Sequence, residues 1–429
     1  MAAPPAEAEV VVIGAGAAGL AAADALTRAG RPVLVLEARE RVGGRCYTRR
    51  MAGLDIPVEL GAEFIHGAAR STRALLRAAG VKAVDSVREQ RALEGGRLRR
   101  VNGFVEAQRA VQGVSLVEDV SFHEFLRGRK LSAKTKALAT LMVQGFDAAD
   151  PRRVSARSII EEWTGGGELG HSQPRPRGGY GPLFDWLARS LVARGVQLRL
   201  QSVVQRIEWR RGAVLVRGRH FGEPFAVRAQ RAVITLPLGV LQSRAVRFSP
   251  SLRKEAALQN LASGPVIRVA LRFAQAFWES RAPGVAFFHN ARAPFPTFWT
   301  PLPMRAPLLT AWAGGPKAAR LAGSGKRRLI AQALTSVRSV FSGMPDPASA
   351  FVQDWAKDPF ARGGYSYVQV GGENARAQLA APLEGTLYFA GEASEAEEPG
   401  TVAAALQSGQ RAAREIMNSG SGSQFRRRS

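Results

Sequence analysis

The sequence predicts an α/β chain led by a Rossmann-like unit, and three observations predict it. A strand, a glycine turn, a helix and a second strand follow one another between residues 9 and 37. Two more short apolar runs of strand character stand far downstream, at 232–236 and 386–390. At 429 residues and 46% hydrophobic composition, the chain is long enough for two domains with sizeable cores.

The first run, Val10, Val11, Val12 and Ile13, is apolar and β-branched without alternation, which suits a parallel strand buried on both faces. Gly14, Gly16 and Gly19 follow as GxGxxG, and the pattern turns helical over 17–29, with Gly30 as its stop. A second strand over 33–36 ends on Glu37, eighteen residues beyond Gly19. Each position has a job in a dinucleotide site. Gly14 permits the tight turn, Gly16 lets backbone N–H groups reach a pyrophosphate, and Gly19 lets helix and strand pack closely. The helix start faces the phosphates with its positive end, and Glu37 accepts ribose hydroxyls. A purely structural βαβ turn would leave the acid at the strand end unexplained. The next stretch, ARERVGGR over 38–45, is a second glycine-hinged loop whose arginines supply forks of donors for the far side of a pyrophosphate.

The net charge is +25 and the isoelectric point about 11.4. Only eight of the sixty basic residues are lysine. Such charge fits a nucleic-acid or acidic-membrane partner. It equally fits a general drift to arginine spread over the surface, and the latter is favoured because no basic run exceeds Arg426-Arg427-Arg428. Cys46 is the only cysteine, so an internal disulfide, a CxxC redox pair and a thiolate zinc site are excluded. The histidines, His66, His123, His171, His220 and His289, show no ligand spacing, and no metal is expected. Residues 1–9 are too short and polar for a secretory signal, and no apolar run is long enough to span a bilayer, so a soluble cytoplasmic protein is expected. No second GxGxxG follows a later strand. That argues against a reductase fed by NAD(P)H, and for electrons that come from an organic substrate and leave to oxygen or another acceptor.

The ARERVGGR stretch resembles the signature of the flavin-containing amine oxidases, which include monoamine oxidases, polyamine oxidases and flavin-dependent histone demethylases. The resemblance recurs along almost the whole chain. ELGAEFIHG over 59–67 is similar to the segment that runs along the flavin ring in that family. GGYGPL over 178–183 resembles its turn before a helix, and FAGE over 389–392 and GTVAAALQSG over 400–409 resemble its closing strand, turn and helix. The resemblance implies FAD, held by Gly14, Gly16, Ala17, Ala18, Gly19, Glu37, Ala38, Arg39, Gly43, Gly44 and Arg45 on the nucleotide side. Val204 would hold the adenine through its backbone. Gly61, Ala62, Glu63, Phe64, Gly400, Thr401, Val402 and Ala405 would line the ring, and Gly391 and Glu392 would meet the ribityl and phosphate region. It also implies a glutathione-reductase-type FAD-binding domain of 1–85, 175–262 and 376–418, interleaved with an α+β substrate domain of 86–174 and 263–375, and a disordered tail of 419–429. Within these, 70–175 reads as mainly helical and 165–179 as a returning loop. Residues 198–209 and 213–216 read as hairpin strands, and 265–273 as a strand.

The activity so implied is oxidation of a mono- or polyamine by hydride transfer to flavin N5, giving an imine that hydrolyses. Alternatives are an L-amino-acid oxidase or other flavin oxidoreductase of the same fold, and a chromatin- or nucleic-acid-binding protein that retains FAD. Glu63 and His66 would be polar groups near the substrate, although a structural role for His66 is as well supported. Phe295, Phe298, Trp299 and Trp312 read as core or as a cleft wall. Three positions depart from family patterns. Tyr365 stands where monoamine oxidases carry the cysteine that tethers the flavin, so FAD is expected to be non-covalent. Thr401 replaces one of their two cage tyrosines, which leaves Tyr365 and Trp355 to contact the amine. Arg268 replaces a lysine that holds a water at flavin N5, so slow reaction with oxygen is expected.

Overall fold

The computed structural model describes residues 6–164 and 173–421. β1 (Ala6–Ile13) runs parallel to β2 (Val33–Leu36), with Val10 opposite Val33 and Ile13 opposite Leu36. Val10, Val12, Val33 and Val35 enter one core, and Val11, Ile13, Leu34 and Leu36 enter the other. Both faces of the sheet are covered, which is why these strands are apolar throughout. Between them α1 (Ala17–Arg28) ends at Gly30, whose φ of 74° lets the Arg31 N–H return to the Leu26 carbonyl at 3.0 Å.

The strand Glu223–Ile234 lies parallel to β1 on its other side. It also pairs with Ala213–His220, antiparallel, and its last three residues take Leu387–Phe389 as a parallel neighbour. Gln197–Arg199 extends the sheet beyond β2, and Ser202–Arg210 and Arg247–Ser249 complete the far edge. The strand expected over 232–236 therefore starts at Glu223, because its outer half alternates with charged residues, and it stops at Ile234. The strand expected over 198–209 is two strands. The chain leaves the edge of β2 after Arg199, takes φ of 51° at Gln201 and re-enters as Ser202–Arg210. The strands expected over 265–273 and 386–390 are Val266–Arg272 and Leu387–Phe389.

The last helix, Val402–Ser421, crosses α1 in backbone contact: a Cβ on Gly409 would lie 2.1 Å from the Ala18 carbonyl oxygen. The tail expected from 419 is thus helical as far as Ser421, and 422–429 lie outside the described residues.

A second sheet runs in the order Ser349–Asp354, Val266–Arg272, Leu308–Gly314, Thr297–Trp299, Phe287–His289, Gln90–Glu94, Arg97–Val101. Phe295 and Phe298 belong to the core behind it. The expectation of a mainly helical 70–175 is met in part. Helices Gly103–Val111, Phe122–Gly128, Ala133–Gly145 and Ala156–Thr164 pack around Phe122 and Trp163. Gln90–Glu94 and Arg97–Val101, however, form a hairpin closed by Gly95-Gly96, both at positive φ, the geometry a two-residue turn needs. Of the loop expected over 165–179, residues 165–172, with His171, lie outside the described residues. Arg175–Pro176 pairs with Ala83–Val84, and Gly179, at φ of 90°, caps the helix Tyr180–Ala193. Among the described residues no helix is long and apolar enough to cross a membrane, and no cluster of His, Cys, Asp or Glu could hold a metal ion.

Candidate active site

Every expected site residue except Gly19 lines one cavity of about 1370 Å³ that runs between the two sheets. Its nucleotide end is set by α1. Gly19 is not at the surface because its job is packing: a Cβ there would lie 1.9 Å from the Gly14 carbonyl oxygen. Gly16 differs. A Cβ there would meet no protein atom nearer than the Gly44 Cα at 4.0 Å. The two glycine loops touch at this point, since Gly16 bridges Gly43 and the Gly43 N–H donates to the Ala15 carbonyl at 2.9 Å. Glu37 is 5% exposed, and its carboxylate accepts from the Ala15 N–H at 2.7 Å and the Arg39 N–H at 2.9 Å. Burial pushes its carboxyl up, against the lowering effect of those two N–H groups. Two bonds leave lone pairs on a carboxylate that can take about four. The pairing of Ser202–Arg210 with its neighbour slips between Val204 and Arg206, so backbone at Val204 and Gln205 faces the cavity out of ladder register.

Arginines close this end. Arg39 forms a two-pronged pair with Asp358 at 2.8 and 2.7 Å. Arg45 donates to Glu392 at 2.9 Å and to the Gly364 carbonyl at 2.6 Å. Burial alone would raise the Glu392 carboxyl, but Arg45 and Arg376 outweigh it and hold it below the usual range. Cys46 is buried and its thiol is pushed up by that burial.

At the other end Gly61 brings the backbone in: a Cβ there would lie 1.8 Å from the Arg45 carbonyl oxygen. Glu63 accepts from Arg175 Nε at 2.7 Å, from Trp299 Nε1 at 3.2 Å and from Arg268, whose other terminal nitrogen donates to the Gly61 carbonyl at 2.8 Å. Burial works to raise Glu63, and the charges of Arg268 and Arg175 overcome it and hold the carboxyl low. Arg268 is 2% exposed and stays at the cavity wall rather than turning away. His66 has an unpartnered Nδ1, and burial lowers its pKa to about 4, so it is neutral at neutral pH.

Phe64, Phe287, Trp299 and Trp312 pack in sequence at ring separations of 5.9 to 6.1 Å, and Phe146 stands edge-on to His66 at 5.1 Å. Tyr365 donates its hydroxyl to the Phe146 carbonyl at 2.6 Å and lies against Gly400. Trp355 lines the cavity beside Gly61, 2% exposed, with its indole N–H donated to the Leu60 carbonyl at 2.9 Å. The Thr401 hydroxyl is committed to starting the last helix: it donates to the Glu398 carbonyl at 2.7 Å and accepts from the Ala404 N–H at 3.1 Å. Trp299 and Trp312 line the same cavity. Sequence reasoning missed Arg175, Asp358, Ser366 and Arg376, whose partners are distant in sequence, and the cavity acids Asp147 and Glu162.

The model of the flavin-containing amine oxidoreductase family matches residues 17–417. The chain belongs to that family. It is 29% identical to the lysine-specific histone demethylase 2 of Homo sapiens, a match that covers 95% of this chain and 53% of the demethylase. It is 29% identical to polyamine oxidase 4 of Oryza sativa subsp. japonica, covering 96% of this chain and 89% of the oxidase. The chain thus spans about half the length of the human demethylase it matches. In fold it superposes on a putrescine oxidase bound to putrescine with a TM-score of 0.83 at 23% identity, covering 97% of this chain and 100% of that one. On the cyclohexylamine oxidase of Brevibacterium oxydans the TM-score is 0.80 at 22% identity, covering 96% and 99%.

The cofactor is FAD, and the residues present fit it. The gap above Gly16 admits a pyrophosphate, Glu37 retains acceptor capacity for ribose, and a Cβ on Gly391 would meet nothing within 4 Å, which leaves room beside the ring end. Cys46, with its thiol raised by burial and its place in the 43–46 turn, is not a nucleophile for the ring. FAD is therefore expected to be released into the supernatant when the protein is precipitated with acid. Yellow colour kept in the pellet would show a covalent link.

Proposed function

We propose that this protein is an FAD-dependent oxidase of mono- or polyamines. The observation that carries the reading is the junction of the dinucleotide cradle with a chamber walled by Phe64, Phe146, Phe287, Trp299, Trp312 and Tyr365. FAD, when bound, supplies the acceptor for the hydride from the carbon beside a neutral amine nitrogen, and water hydrolyses the resulting imine to an aldehyde or ketone. The chain's own work is positioning and exclusion. The aromatic wall keeps bulk water from the amine and strips its solvation, which favours the unprotonated form. Neutral His66 can hydrogen-bond an amine without repelling it, and no strong base is required. An amino-acid oxidase would need a free cation for the carboxylate. At the Gly61 end, Arg268 and Arg175 are engaged with Glu63 and backbone carbonyls, which favours simple amines over amino acids there.

The test is turnover across a panel of alkyl- and arylamines with Tyr365→Ala beside wild type. A desolvated aromatic–amine contact is worth about 1 kcal/mol, or roughly a fivefold loss of turnover, at unchanged flavin content. Unchanged turnover would remove Tyr365 from the substrate wall, and no turnover of any amine by wild type would end the reading. Arg268 bears on the oxygen step. Its planar guanidinium fills the space between Gly61 and Glu63. Stopped-flow reoxidation by oxygen is expected to be faster in Arg268→Lys than in wild type, at similar amine affinity. Identical rates would sink this account of Arg268.

A further inference from the structure

The nucleotide end of the cavity is closed by a turn that belongs to the second sheet. The strand Ser349–Asp354 runs straight into residues 355–364, of which Pro359, Phe360 and Arg362 line the cavity together with Glu37, Ala38 and Arg39. Pro359 is also exposed to solvent, so the turn stands between the cavity and the outside. Its backbone is tied down at several points. Asp354 Oδ1 accepts from the Ala356 and Lys357 N–H groups at 3.0 and 3.2 Å. The Asp358 carbonyl accepts from the Arg362 N–H at 2.9 Å, and the Trp355 carbonyl from the Gly363 N–H at 2.8 Å.

Opposite this turn, Arg39 is fixed at its backbone. Its N–H is donated to Glu37 at 2.9 Å, and its carbonyl accepts from the Gln201 N–H at 2.8 Å. Its side chain reaches across to Asp358, with each terminal nitrogen on its own carboxylate oxygen. The guanidinium also lies 5.3 Å from the centre of the Phe360 ring. The two side chains are only 13% and 12% exposed, and a two-pronged pair sheltered in this way is stronger than one in open solvent. Asp358 Oδ1 accepts in addition from the Phe360 N–H at 2.9 Å, so one carboxylate both shapes the turn and holds the arginine. Both terminal nitrogens of Arg39 are therefore taken by protein, and its charge is already balanced by Asp358.

We propose that Asp358 is a positioning residue for FAD retention: acting through Arg39, it latches the 355–364 turn across the nucleotide end, and bound FAD leaves only when the pair opens. The inference rests on the cofactor and is independent of which amine is oxidised. It also separates two roles for Arg39. If its charge served FAD directly, removing Asp358 would free the guanidinium and slow FAD release. If it serves through the latch, removing Asp358 speeds release.

The experiment measures release of FAD from the holoprotein, with an excess of an unrelated apoflavoprotein present to capture it and prevent rebinding. Asp358→Asn removes the charge and keeps an oxygen for the Phe360 N–H, so the turn retains its own bond. Release is expected to be about tenfold faster than from wild type, the scale of a charge-assisted hydrogen bond. Uptake of FAD by the apoprotein is expected to be no slower, which a damaged cradle would not allow. Arg39→Gln is expected to speed release as well. Because the two side chains act as one unit, Arg39→Gln/Asp358→Asn is expected to release FAD no faster than the faster single variant. Release from Asp358→Asn that is unchanged or slower, uptake that is slowed, or effects that multiply in the double variant, overturns the proposal. Should Asp358→Asn fail to fold, Arg39→Lys, which keeps the charge and gives up one prong, decides the matter: faster release supports the latch, and unchanged release overturns it.

Discussion

Gly16→Val is expected to give a folded protein that carries no flavin. The side chain would enter the gap above Gly16, where the nearest protein atom to a Cβ is the Gly44 Cα at 4.0 Å, so the protein itself loses little. The gap is the place where the pyrophosphate must approach the N–H groups at the start of α1, and a valine fills it. The contrast is Gly19→Val. There a Cβ would lie 1.9 Å from the Gly14 carbonyl oxygen, and the helix could not stay on its strand. Flavin absorbance and the thermal midpoint, measured together, distinguish the two. Gly16→Val should lose flavin and keep a cooperative transition near that of the apoprotein, whereas Gly19→Val should lose both. A yellow Gly16→Val protein would show that the pyrophosphate does not lie there.

Glu63→Gln is expected to cost the fold about 3–5 kcal/mol, the scale seen when one member of a buried ion pair is removed. Arg268 and Arg175 are 2% and 6% exposed at their side chains, and both charges rest on this one carboxylate. The backbone acceptors that remain, Gly61 for Arg268 and Leu302 at 2.7 Å for Arg175, satisfy donors without balancing charge and place the expected loss toward the lower end of that range. The sign with pH follows from the depressed Glu63 pKa. Its contribution is fully present above the ordinary carboxylate value of about 4.3 and is lost as pH falls through the lower folded value. Urea midpoints should therefore separate wild type from Glu63→Gln at neutral pH, and the gap should narrow only in strong acid. A gap that is absent at neutral pH would mean the arginines are balanced elsewhere.

The cradle was legible because its reasons are local. Gly14, Gly16, Gly19, Gly30 and Glu37 each answer a demand made within a few residues or across one βαβ unit, and the structure meets those demands where the spacing put them. The hairpin at Gln90–Val101 carried a readable signal, Gly95-Gly96, which the dense charge around it masked. What could not be read was distance in space between residues far apart in the chain. Arg39 finds Asp358, Arg175 finds Glu63, and Trp355 finds the Leu60 carbonyl, each across more than a hundred residues. Trp299 and Trp312 show the cost: an aromatic looks the same in sequence whether its ring faces the cavity or the core. Asp147 was invisible for the opposite reason, since a lone acid after a helix has no pattern at all. Only its burial in the cavity wall distinguishes it.

The central claim is that an amine delivers electrons to the flavin in this cavity. The most direct measurement is an anaerobic titration of the purified yellow protein with hexylamine and with diaminohexane, followed by its visible absorbance. The account predicts bleaching of the oxidised flavin without any NAD(P)H, and return of the colour when oxygen or another acceptor is admitted. A flavin that stays oxidised with every amine, yet is bleached at once by dithionite, would contradict it.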